Sequence, residues 1–306
     1  MNEGAAAVEI VDRNGLTERE FLEQYRAGDY ERPSVAADMV IFAVADTGQG
    51  EDSGFPEKEL RLLLIRRGGH PFLGKWALPG GFVQPDETAD QAAARELSEE
   101  TGLNDVYLEQ LGVFSDVGRD PRTWVISCSY MALVSSGRLQ VQAGDDAQDA
   151  AWFKVSYRQL AEHKERLDKG YVQTWTYELK LSNEGEELKA VISRTVTARL
   201  NSKSAAYSVQ LNDGLAFDHA KIIACAIERL RKQTEDSDIA LHLMPEQFTL
   251  PELQQVYEGI LGEQLPADEF ERRVKGFVVE TGEYSDKTGR AGARLYRRNW
   301  EITPEN

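Results

Sequence analysis

The stretch GGFVQPDETADQAAARELSEETGL, residues 80–103, decides how the rest of the chain is read. Thr88 has the side chain of a helix N-cap, and Gln91 follows three residues later as a capping box requires. Gly102 stands where a left-handed residue ends a helix. The spacing therefore predicts a loop, a helix and a second loop. On that helix Glu96 and Glu100 are four residues apart and Glu99 is three from Glu96, so the carboxylates crowd one side. Like charges so placed cost on the order of a few tenths of a kcal/mol per pair, and a bare helix gains nothing from them. Divalent cations offset the repulsion, and hard oxygen ligands of this kind suit Mg²⁺ or Mn²⁺. Arg95 can pair with Glu99 one turn on, or be held by Glu87, and so fix the helix. A lone pair of adjacent glutamates is usually a solvated surface. The glycine pair Gly80 and Gly81 adds what such a surface lacks, a backbone that can approach a metal closely.

Gly81, Glu87 and the run Arg95-Glu96-Leu97-x-Glu99-Glu100-x-Gly102-Leu103 resemble the Nudix box at every specified position. From average residue usage, a chance match in one window is on the order of one in a billion. The resemblance implies that Glu96, Glu99, Glu100 and the Gly80 carbonyl are metal ligands, while Gly81, Glu87, Arg95 and Gly102 shape the box. It also implies that Glu99, Glu100 or a downstream acid is catalytic. The segment GDDAQDAAWF offers Asp145, Asp146 and Asp149 ahead of Trp152, and Asp146 is taken as that acid. GRDPR, residues 118–122, is similar to ADP-ribose pyrophosphatases; Arg119 or Arg122 would clamp phosphate as a bidentate donor. Arg66, closing the strand-like run LRLLLIR, completes the expected substrate contacts. The implied reaction is in-line attack of metal-activated water on a diphosphate, giving AMP and ribose 5-phosphate from ADP-ribose.

Around this segment the chain runs to 306 residues, enough for two domains. No run of about 18 apolar residues spans a bilayer, and the acidic N-terminus lacks an export signal, so a cytoplasmic protein without membrane partners is expected. Cys128 and Cys225 lie in apolar stretches without zinc spacing and read as reduced core residues. A net charge of −17 is the wrong sign for non-specific attraction to nucleic acid. Phosphates must then be met by metal or by local arginines.

Periodicity predicts a short helix over Leu16–Tyr25 and strands over 37–45, 60–66, 107–114, 123–134 and 151–155. From Gly170 to Leu211, Thr/Val/Leu alternation around Asn183–Glu186 reads as a β-hairpin, with Ser204–Leu211 as a third strand. Residues 216–233 form a strong amphipathic helix. The expected fold is α+β: a Nudix α/β/α sandwich over 1–237, with a β-rich insertion at about 165–215. A linker is expected at Thr234–Asp238. His219 and His242 are expected to be core or cap residues.

Residues 238–306 read differently. FTLPELQQVYEGILG, residues 248–262, is a helix capped by Thr249, and a second helix is predicted over 267–279. A Gly-rich basic hairpin, TGEYSDKTGRAGARLYRRN, follows. Helix, turn, helix and basic hairpin describe a winged helix. Together with LMPEQFTLPELQQVYEGILG, this tail makes the whole chain similar to Nudix-related transcriptional regulators of NAD metabolism, which implies ADP-ribose sensing, operator DNA and a homodimer. Arg272, Arg273, Lys275, Lys287, Arg290, Arg294, Arg297 and Arg298 are the candidate DNA contacts. Against that, Asp268, Glu269 and Glu271 open the presumed recognition helix, and such basic residues also serve simply to solubilise a packing module. Two features depart from that family: the box is intact, and the strands after Gly170 lengthen the chain. The leading expectation is a Mg²⁺- or Mn²⁺-dependent hydrolase of ADP-ribose or a related nucleoside diphosphate derivative. The alternative is a regulator that senses ADP-ribose with little or no turnover.

Overall fold

The computed structural model describes residues 10–46, 57–135, 147–285 and 292–301. The chain divides into two units, Met1–Pro33 and Ser34–Asn306. In the first, α1 (Glu18–Gln24) is closed by Thr17, whose hydroxyl accepts the Glu20 N–H while the Glu20 carboxylate accepts the Thr17 N–H. Its Phe21 and Leu22 remain exposed.

The second unit is built on one mixed sheet. Its strands are β1 (Ser34–Asp46), β2 (Lys58–Arg67), β3 (Trp76–Ala77), β4 (Gly80–Phe82), β5 (Tyr107–Phe114) and β6 (Val125–Val134), followed by β7 (Ala147–Leu167), β8 (Gly170–Ser182), β9 (Glu187–Arg199) and β10 (Ser202–Asp213). The order is β10-β9-β8-β7-β2-β1-β6-β5, with β3 on β2 and β4 on β1; β1 and β6 run parallel and the remaining pairs antiparallel. Both faces of β1 are covered, which is why MVIFAV reads as a continuous apolar run. Met39, Ile41 and Ala43 pack under α2 (Ala89–Thr101), while Val40, Phe42 and Val44 join the opposite core with α3 (His219–Asp236).

The β-rich insertion is not a separate hairpin. The strand expected at 151–155 continues to Leu167, and β8, β9 and β10 extend the same sheet as a meander. α3 covers its inner part: the Glu228 carboxylate accepts hydroxyls from Tyr157 at 3.0 Å and Tyr207 at 2.9 Å and pairs with Arg194 at 3.1 Å. Cys128 and Cys225 are free and half-buried.

The C-terminal elements are a 3-10 turn over Ile239–Leu243, α4 (Leu250–Leu261), α5 (Ala267–Val274) and the wing strands β11 (Val278–Tyr284) and β12 (Arg294–Arg298). Phe248 and Tyr296 exchange backbone bonds of 3.0 and 2.8 Å, an isolated antiparallel bridge that ties the start of α4 to the wing. The second helix is shorter than the predicted 267–279, because Val278 and Val279 pair with Arg298 and Arg297 instead. No linker separates these elements from the sheet. Residues Thr234–Asp236 belong to α3, Thr234 is fully buried with its hydroxyl on Leu230 O, and Ile239, Ala240, Leu253, Tyr257 and Phe270 share one core with Phe42 and Leu62. The expected boundary at 237/238 thus marks a change of architecture inside one packed body. Arg231 ties the parts together, donating to Tyr157 O at 2.9 Å and to Ile260 O at 2.8 Å.

Candidate functional site

α2 forms as its sequence requires. The Thr88 hydroxyl accepts the Gln91 N–H, the Gln91 side chain accepts the Thr88 N–H, and Gly102 closes the helix at φ 67°. The helix presents Arg95, Glu96, Glu99 and Glu100 to a cleft of about 1260 Å³. Asp38 of β1, Arg67 and the glycines after β2, the β3–β4 turn, residues 119–122 and the turn before α3 complete its wall.

Arg95 organises the carboxylates. It donates to Glu87 at 2.8 and 3.0 Å, to Glu96 at 2.8 Å and to Glu99 at 3.0 Å. These bonds hold the guanidinium well above its ordinary pKa, and Arg95 in turn keeps the Glu87 carboxyl below the usual carboxylate range. Burial pushes Glu96 the other way, upward, against the pull of Arg95. A side chain at Gly80 would meet backbone, and one at Gly81 would displace the Glu96 carboxylate. A β-carbon on Gly80, at φ 150°, would stand 2.2 Å from Ala37 O, and one on Gly81 would stand 2.0 Å from Glu96 Oε1.

Among the described residues, no three His, Cys, Asp or Glu side chains converge closely enough to hold a metal as they are oriented here. The donor set nevertheless fits a hard divalent cation. Glu96, Glu99 and Glu100 line one cleft from one helix face, and the cradle over Gly81 leaves the Glu96 carboxylate a place that a β-carbon would fill.

The expected phosphate arginines are placed differently. Arg119 lines the cleft but is buried and neutralised, bonded to Asp218 at 2.8 and 3.1 Å and to Asp38 at 3.2 Å. Arg122 also lines the cleft and pairs with Asp120 at 2.6 Å. Arg66 lies outside it, held by Glu186 of the β8–β9 turn and stacked on Trp76. Alternation along the strand turns Arg67, not Arg66, toward the cleft together with Ile65. Asp149 is exposed and opposite Arg66 in the β2–β7 ladder; Asp145 and Asp146 lie outside the described residues.

Sequence reading also missed the turn before α3. Phe217 holds φ 51°, a backbone conformation rare for a bulky residue, and its ring lies 4.7 Å from Phe72 and 5.2 Å from His219, with Arg67 and Arg122 over it. His219 is fully buried and its Nδ1 accepts the Leu78 N–H at 2.8 Å, so it is the expected core residue and a cleft-wall residue as well.

In the winged helix, Arg272, Lys275 and Arg297 are exposed and make no ion pair among the described residues. Arg273 pairs with Glu269 at 3.2 Å and Arg294 with Glu280 at 3.1 Å, while Lys287 and Arg290 lie outside the described residues. Arg298 points inward, to Asp238 at 2.7 Å and His242 at 2.9 Å, which removes it from the candidate DNA contacts. Burial first, and Arg298 second, lower the His242 pKa to about 4, and its ring lies 4.4 Å from that of Tyr107 of β5 in a tilted contact.

Residues 35–176 match the NUDIX domain, and residues 240–298 match the NrtR DNA-binding winged helix domain. Over 287 residues the chain is 34% identical to the ADPR responsive transcriptional repressor NtrR of Acinetobacter baylyi, covering 93% of this chain and 89% of that protein. It belongs to the NrtR family of Nudix-related transcriptional regulators. The crystal structure of Shewanella oneidensis NrtR complexed with a 27mer DNA superposes on this NrtR-family chain with a TM-score of 0.56, at 28% identity, covering 87% of this chain and 93% of that one. The ADP-ribose pyrophosphatase of Methanocaldococcus jannaschii is 40% identical over 153 residues, covering 50% of this chain and 79% of that enzyme. Similarity to the regulators therefore spans both halves, whereas similarity to the pyrophosphatase does not. That reverses the expected ranking: within the NrtR family the regulator reading, taken second from the sequence, is the better supported.

Proposed function

We propose that this NrtR-family chain is a DNA-binding transcriptional regulator whose Nudix cleft binds ADP-ribose as its effector. One observation carries the reading beyond similarity. α3 begins in the cleft wall, at His219, and runs about 27 Å into the core shared with the winged helix, where Arg231 bonds the last turn of α4. A ligand that shifts the cleft wall thereby biases the DNA-binding elements, as allosteric coupling requires.

Because Arg119 and Arg122 are already paired with carboxylates, the charge of a diphosphate falls largely to metal. Glu96, Glu99 and Glu100, with the Gly80 carbonyl, would hold Mg²⁺ or Mn²⁺, which supplies that neutralisation. Arg272, Lys275 and Arg297 supply phosphate contacts on the DNA side. The proposed DNA-bound species is a homodimer, since two-fold operators match two-fold proteins.

Hydrolysis is a second reading, favoured by the complete carboxylate set on α2 and by the 40% identity to a pyrophosphatase. Release of AMP from ADP-ribose with Mg²⁺, abolished in Glu100→Gln, would support it; no product from the wild type would remove it. For the regulator, fluorescence anisotropy with DNA from upstream of the protein's own gene is decisive. The upstream site should bind about 10³-fold or more tighter than scrambled DNA, and ADP-ribose should change its Kd by about 5- to 150-fold. Equal affinity for both DNAs, indifferent to ADP-ribose, would sink the proposal.

A further inference from the structure

The cleft wall contains one residue whose backbone and ring are both unusually constrained. Phe217 sits at φ 51°, where a side chain of its size is rarely found and the backbone is strained. The surrounding structure enforces it. Trp76 and Ala216 hold the turn, with Trp76 N–H donating to Gly214 O at 3.0 Å and Ala216 N–H to Trp76 O at 2.8 Å. After Phe217, Asp218 is fixed by buried Arg119 and His219 by the Leu78 N–H. The ring is placed where a ligand would meet it: it lines the cleft, with Phe72 edge-on at 4.7 Å and the guanidinium carbons of Arg67 and Arg122 at 5.0 and 5.9 Å. A planar heteroaromatic group entering here competes for that ring face, since aromatic and cationic planes stack on it interchangeably.

Strained residues persist when their neighbours over-determine them, and they give two-state elements a natural hinge. Resting on the regulator reading above, we infer that Phe217 is the residue through which an occupied cleft acts on α3. Its ring takes the contact with the nucleoside part of the ligand, and its backbone, one residue before Asp218 and two before His219, delivers the displacement to the helix that reaches α4. Phe217 is a positioning residue for DNA binding: it touches ligand, not DNA.

The test separates affinity from coupling. Phe217→Asn removes the ring and suits a positive φ, so the turn is kept; Phe217→Tyr keeps ring and backbone alike. Upstream-DNA Kd is measured for the full-length protein without ADP-ribose and at ADP-ribose saturation, saturation being established by calorimetry for each variant. The expected result is that all three proteins bind free DNA within about twofold, that wild type and Phe217→Tyr respond to ADP-ribose, and that Phe217→Asn at saturation responds less than twofold. A full response in saturated Phe217→Asn overturns the inference while leaving the regulator reading in place. No response in wild type overturns both. Should Phe217→Asn not fold, hydrogen exchange of the wild type decides: ADP-ribose must change protection in α3 amides, and unchanged α3 protection overturns the inference.

Discussion

A β-carbon on Gly81 would lie 2.0 Å from Oε1 of Glu96, so the residue that opens the box and the carboxylate at its centre occupy complementary space. The clash is with the end of a flexible side chain, not with backbone. Gly81→Ala should therefore fold but force Glu96 out of its place. We predict that Mg²⁺ or Mn²⁺ raises the melting temperature of the wild type, as any ligand of the native state must. In Gly81→Ala metal affinity should fall by about 10- to 100-fold. An unchanged metal-induced shift in the variant would mean that Glu96 is not a ligand.

His219 gives a pH prediction with a definite sign. Burial holds its imidazole below the ordinary value of 6.5, so the folded protein keeps it neutral while the unfolded chain protonates at its usual pH. Its stabilising effect is complete above about pH 6.5 and is lost as pH falls below it, at up to about 1.4 kcal/mol per pH unit. His219→Gln, which cannot titrate, should be less stable than wild type at pH 7.5, with the gap narrowing toward pH 5. Denaturant melts across that range check it; a gap that widens on acidification would contradict the buried neutral assignment.

Arg231 reports on whether sheet and winged helix are one body. Replacing it by Met leaves Tyr157 O and Ile260 O without its N–H donors and should cost about 2–4 kcal/mol. Unfolding should remain a single transition in both proteins when followed by intrinsic fluorescence and by circular dichroism. A separate early transition in the wild type would contradict the shared core.

Neighbouring wing arginines should behave differently. Arg297 is exposed, so Arg297→Ala should weaken all DNA sequences similarly and lower the salt slope of log Kobs by about 1. Arg298 is held by Asp238 and His242, so Arg298→Ala should leave the salt slope unchanged and lower the melting temperature. Salt titrations of DNA binding distinguish the two; a reduced slope in Arg298→Ala would place it on the DNA.

What was legible in the sequence was what local chemistry dictates. Thr88, Gln91 and Gly102 announce α2 because caps act within one helical turn, and the clustering of Glu96, Glu99 and Glu100 on one side follows from i, i+3 and i+4 spacing. Thr249 and Glu252 announce α4 in the same way. Partners distant in sequence were not legible. That β7 runs on to Leu167 depends on pairing with β8, since the polar run 156–167 has no apolar alternation of its own. Thr234 reads as linker by polarity, yet its hydroxyl is satisfied inside α3. Arg119 carries the expected charge, but its meaning changes once Asp38 and Asp218 arrive from other elements. Arg66 and Arg67 are told apart only by which face of β2 meets the cleft.

The central claim is that the Nudix cleft and the winged helix are coupled, and coupling between binding sites is reciprocal. The most direct measurement is the ADP-ribose Kd of the full-length protein, taken by calorimetry with Mg²⁺ in the absence of DNA and again with saturating upstream DNA. The account predicts that the two values differ by the same factor, about 5- to 150-fold, by which ADP-ribose changes the DNA Kd. Identical ADP-ribose affinities with and without DNA would contradict it.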